Sequence, residues 1–110
     1  MAIIDLVTSE FDAFVEENEF AVIEFGAQWC SPCQSFQKVL AALQADYGEF
    51  AFASVDIDQE VELAEEFGVR SVPFIMIMRK RTVVYADSGA LSRSAMAELL
   101  EQARALGDDV

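Results

Sequence analysis

The sequence predicts an α/β domain: a mixed sheet with helices on both faces. Three observations predict it. Short apolar runs alternate with amphipathic helical patterns through the first two thirds of the chain, which implies parallel strands joined by right-handed helical crossovers. A strand–turn–strand pattern then interrupts the alternation, which implies an antiparallel hairpin at one side of the sheet. No linker, repeat or low-complexity segment divides the 110 residues, so residues 1–110 are expected to form one domain. With 54% hydrophobic residues, a chain of this length can bury its own core.

Residues 3–7 form a short β-rich run. Thr8 or Ser9 is placed to cap a helix over 10–17, with Phe11, Phe14 and Val15 on one face. Residues 20–26 are apolar on both faces and read as a buried strand. Phe36, Val39, Leu40, Leu43 and Tyr47 recur at helical spacing, and Gly48 is a plausible stop. A second buried strand covers 50–57. Val61, Leu63, Ala64 and Phe67 mark a short helix ended by Gly68. Residues 74–78 form a third central strand, in which Met76 and Met78 read as core. Arg79-Lys80-Arg81 reads as a solvated turn, and 82–87 as the returning strand, broken by Gly89. Ser92 caps a last helix that turns Met96, Leu99, Leu100, Ala103 and Leu106 inward and ends at Gly107.

Charge and missing residue types exclude several functions. Acidic residues outnumber basic ones 20 to 7, a net charge of −13, which argues against nucleic acid and anionic membrane as partners. The chain has no histidine, the commonest acid–base and metal-binding side chain. It has neither a signal-like N-terminus nor an apolar run long enough to span a bilayer, so the cytoplasm is the expected compartment.

The candidate site is Trp29-Cys30-Ser31-Pro32-Cys33, which holds both cysteines and the single tryptophan. It lies between a strand and a helix. Two thiols spaced by two residues there can form a disulfide and break it again. Zinc is disfavoured, because two cysteines without histidine leave a four-ligand site incomplete, and no metal is expected. A purely structural bond is disfavoured as well, because closing so short a loop restricts the unfolded chain little. Glu24 stands inside the apolar run Ala21-Val22-Ile23-Glu24-Phe25, where a carboxylate is costly to bury without a partner.

Three blocks carry a resemblance over essentially the whole chain. They are Phe25-Gly26-Ala27-Gln28-Trp29-Cys30-Ser31-Pro32-Cys33, Gly68-Val69-Arg70-Ser71-Val72-Pro73 and Ser88-Gly89-Ala90-Leu91-Ser92. Together they resemble the thioredoxin family. The resemblance implies the thioredoxin fold, a five-stranded mixed sheet of order 1-3-2-4-5 flanked by four helices. It implies protein-disulfide reduction through a Cys30–Cys33 redox disulfide, with no other cofactor. Substrates would be disulfide-containing proteins, and a thioredoxin reductase or equivalent donor would restore the dithiol. A monomer is the default. Cys30, at the leading edge of a helix, would attack a target disulfide as a thiolate, and Cys33 would resolve the mixed disulfide. Pro32 fits the first helical turn and stiffens the loop that it forms with Ser31.

By the same resemblance, Glu24 stands where the family usually has an aspartate that accepts a proton beneath the second cysteine. Burial would raise its pKa toward the working range. Val72–Pro73 would be a cis peptide facing the disulfide, with the Val72 backbone turned outward to pair with a target strand. Trp29 and Gly89 would border that docking groove. The chain also departs from the family. Ser31 replaces the usual Gly, and Gln34 and Ser54 stand at positions where lysine is frequent. Lys38 replaces a helix-kinking proline, and Lys80-Arg81 an Asn-Gly turn. Losing two cations in an acidic chain should disfavour the Cys30 thiolate and leave Glu24 without a cationic partner. Two other readings stay open on the sequence: a less reducing protein serving one dedicated partner, and a binding or assembly module built on the same fold.

Overall fold

A computed structural model describes residues 3–106. The elements are β1 (Ile4–Asp5), a 3-10 turn (Thr8–Glu10), α1 (Phe11–Glu17), β2 (Phe20–Gly26), α2 (Ser31–Gln44), β3 (Phe50–Asp56), α3 (Val61–Glu66), β4 (Phe74–Arg79), β5 (Thr82–Ser88) and α4 (Arg93–Ala105). They build one sheet of order β1-β3-β2-β4-β5, as the family resemblance implies. β3 runs parallel to β1 and β2, while β4 runs antiparallel to β2 and β5.

The period of two along β2 divides the core. Ala21, Ile23 and Phe25 point to the face covered by α1 and α3, where Phe11, Phe14, Val15, Leu63, Met76 and Met78 complete the packing. Val22 points to the opposite face, against Phe36, Leu40 and Leu43 of α2 and Met96, Leu100 and Ala103 of α4. Glu24 and Gly26 follow the Val22 parity, so the sheet aims the carboxylate at α2, the helix that carries Cys33.

Several local expectations need correction. β1 is two residues long rather than five, because it pairs on one side only, with Ala53 and Ser54. Neither Thr8 nor Ser9 caps α1 with its side chain. Both the Thr8 N–H and its hydroxyl instead donate to Glu60 Oε1, at 2.9 and 3.0 Å. α2 stops at Gln44, ahead of Gly48, and Tyr47 follows in a turn whose N–H reaches Leu43 O at 3.1 Å. Arg79 is not part of a solvated turn. It pairs with Phe20 across β2 and is 4% exposed, its stem covered while its guanidinium meets Glu19 Oε2 at 2.8 Å. The hairpin turns on Lys80 and Arg81 alone, with Lys80 at φ 55°. Leu106 lies beyond the packed stripe of α4 and is exposed. Gly107 falls outside the described residues.

Candidate active site

Cys30 closes the loop after β2 and caps α2. Its sulfur accepts the Cys33 N–H at 3.1 Å, as an N-cap side chain does, and Pro32 occupies the first turn, where a missing N–H costs nothing. The two sulfurs are joined in a disulfide, with Cα atoms 5.3 Å apart. Cys33 is 1% exposed and Cys30 5%, so the sulfur at the helix edge is the more accessible of a largely covered pair. Ser31 and Pro32 are exposed beside it. Unpaired amides at the start of α2 stabilise negative charge on Cys30 once the bond is reduced.

Trp29 is 69% exposed, so it is a surface group rather than core. Its indole N–H donates to Asp58 Oδ2 at 2.8 Å, which fixes the ring in the loop. The peptide Val72–Pro73 is cis, and Val72 packs with Ile57 against Ala27, Cys30 and Cys33. Among the described residues, the Val72 N–H and C=O make no backbone hydrogen bond. Gly89, at φ +113°, donates its N–H to Pro73 O at 2.8 Å. The end of β5 therefore lies beside the proline. Of the residues named from the sequence, Val72 thus packs on the disulfide itself, and Gly89 joins it through Pro73.

Beneath it, Glu24 is fully buried. Oε1 accepts the Gln37 amide at 3.2 Å, and the same nitrogen lies 3.2 Å from Ser54 Oγ. Oε2 has no hydrogen-bond partner among the described residues. Burial pushes the Glu24 pKa up, and the polar neighbours Gln37 and Ser54 offset part of that rise. A neutral amide thus stands where the sequence left a gap. Gly26 makes the approach to sulfur possible. A Cβ there would stand 2.5 Å from Glu24 Oε2 and 3.2 Å from Cys33 Sγ. Carboxylate and sulfur therefore border the same small space, which a side chain at residue 26 would fill. A cleft of about 530 Å³ opens over this point, with Gly26, Gln37, Ser54 and Asp56 among its walls.

The comparisons with known proteins agree with this geometry. The family model described as Thioredoxin matches residues 2–102. The chain belongs to the thioredoxin family. The Streptomyces coelicolor protein named "Putative thioredoxin 2" is 38% identical over 106 residues, covering 96% of this chain and 79% of that one. Thioredoxin 1 of Plasmodium falciparum is 30% identical over 90% of this chain and 96% of its own. Among solved structures, oxidised mitochondrial thioredoxin 3 of Saccharomyces cerevisiae superposes with a TM-score of 0.83 at 27% identity, over 91% of this chain and 94% of that one. A point-mutant thioredoxin from Halobacterium salinarum gives 0.83 at 29% identity, over 92% and 88%. Thioredoxins are thiol–disulfide oxidoreductases, and this chain carries their reactive cysteine pair at bonding distance.

Ile57, Asp58, Gly26 and Gln37 join the site only in the folded structure. Only Gln37 left a usable signal. It follows Cys33 by one helical turn, so a polar side chain shares the inner face of α2.

Proposed function

We propose that this thioredoxin reduces disulfides in protein substrates, with Cys30 as nucleophile, Cys33 as resolving thiol and Glu24 as the acceptor of the Cys33 proton. The observation that carries the reading is the line Cys30–Cys33–Gly26–Glu24, in which the helix-edge sulfur is backed by a second sulfur and that by a buried carboxylate. Reduced Cys30 attacks one sulfur of a target bound along Val72, and the target's other sulfur leaves as a thiolate. Cys33 gives its proton to Glu24, attacks Cys30 and expels the target's remaining thiolate. The new Cys30–Cys33 bond holds the electron deficit until an external dithiol donor reduces it. The exposed Trp29, with Ser31, Pro32 and Gly89, borders the path of the substrate.

Insulin reduction with dithiothreitol as donor tests the assignment. Cys30→Ser should lower catalysed turnover by roughly 10³-fold or more, the scale of losing a nucleophile. Cys33→Ser should stall as a mixed disulfide that holds one target chain per molecule. Full turnover by Cys30→Ser would overturn the reading.

A further inference from the structure

We propose that Gln37 is a positioning residue for the resolving step: its amide holds Glu24 Oε1, so that Oε2 is the oxygen that receives the Cys33 proton. The proposal rests on the reading of Glu24 as proton acceptor. An amide nitrogen carries two hydrogens, and here one reaches Glu24 Oε1 and the other Ser54 Oγ, both at 3.2 Å. Ser54 sits opposite Glu24 in the β2–β3 ladder, so strand register anchors the far side of the bridge. The oxygen that accepts an N–H is the poorer seat for a proton. That leaves Oε2, which faces Cys33 across Gly26 and has no other partner among the described residues. Gln37 lies one turn beyond Cys33 on α2, so one helix fixes both the acid and the group that aims its acceptor.

The step balances. The Cys33 S–H proton passes to Oε2, and the Cys33 thiolate attacks Cys30 Sγ. The Cys30–target bond breaks, and the electron pair leaves on the target sulfur, which takes a proton from solvent. Oε2 afterwards releases its proton toward the cleft. The charged groups around that route are Asp5 of β1, Asp56 of β3 and Glu60, all lining the cleft, and the one charged side chain of α2, Lys38, is exposed and outside that lining. From β4 the residue opposite Glu24 is the apolar Ile75.

The test is to react the fully reduced protein with one equivalent of dipyridyl disulfide. The first thiopyridone released marks attack by Cys30, and the second marks resolution. Gln37→Met keeps side-chain length and helix propensity but removes the donor. It should slow the second phase roughly ten- to hundredfold, the scale of a misplaced reacting group, and not the first. It should also move the pH midpoint of the second phase upward, because the amide bond favours the carboxylate. Gln37→Lys restores an N–H donor and should resolve quickly, with a lowered midpoint. In a Glu24→Gln background, Gln37→Met should add nothing. Three results would overturn the proposal. A second phase unchanged in Gln37→Met but slowed in Glu24→Gln would remove Gln37 and leave the proton acceptor standing. Equal slowing by Gln37→Met in both backgrounds would show that it acts by another route. A second phase unchanged in Glu24→Gln would remove the acceptor reading, and this proposal with it.

Discussion

Glu24 and Arg79 are the two charged side chains that the described fold buries, and they lie toward opposite ends of the β2–β4 ladder. They are treated differently. Arg79 meets the carboxylate of Glu19 at 2.8 Å, and its guanidinium lies 5.8 Å from the centre of the Phe20 ring. Glu24 meets a neutral amide with one oxygen and leaves the other facing a sulfur. A charge kept for architecture is neutralised where it is buried, because an unpaired ion is expensive there. On the proposed reading the Glu24 charge changes during turnover, and it is left underneutralised, so that gaining a proton is easy. On that reading, the far end of the ladder is a fixed joint and the near end a proton station.

Substitutions at the two ends should separate these roles. The largest effect belongs to Glu24→Gln, which should lower the rate of resolution by about 10²-fold, the lower range for a lost general base, with the fold intact. Stopped-flow release of the second thiol measures it. Arg79→Met should do the reverse. It should leave both thiol phases unchanged and cost about 2 kcal/mol of stability, since a hydrogen bond to a carboxylate is lost while Glu19 stays half in water. Thermal unfolding, followed by circular dichroism, reads that loss as a fall in Tm.

The pH dependence of stability sharpens the contrast. Glu24 holds its proton more tightly folded than unfolded. Its contribution is full below the unfolded carboxyl pKa and is lost as pH rises through the raised folded value. Urea unfolding of the oxidised protein should show that decline, and Glu24→Gln should flatten it. Arg81→Ala should have the smallest effect. Arg81 reaches Glu16 and Asp12 at 2.8 and 3.6 Å, but all three are exposed, so unfolding should shift by no more than about 0.5 kcal/mol.

The sequence exposes one end of this ladder more readily than the other. The cysteine pair, Pro73 and Glu24 are legible because each breaks its local context: a thiol pair at a strand–helix joint, a proline before a strand, a carboxylate in an apolar run. From the sequence Arg79 reads as a turn residue, because a basic triplet after an apolar run looks solvated. Only the register with Phe20 shows that its stem is covered. The role of Gln37 is hidden for a related reason. Its two partners come from different strands, and nothing along the chain brings Ser54 opposite Glu24. Gly26 resembled any glycine at the end of a strand. Its meaning is the space it leaves between Oε2 and Cys33, a property of three elements together. Spacing along one element carries local chemistry, whereas a contact set by sheet register is not written in any single stretch.

The most direct test follows the resolution rate against pH in the natural protein and in Glu24→Gln. The natural protein should show a midpoint set by Glu24, above the ordinary carboxylate range, with a plateau beyond it. In Glu24→Gln that midpoint should vanish, and the rate should climb only as the Cys33 thiol itself ionises. Two profiles that overlay at every pH would contradict the account.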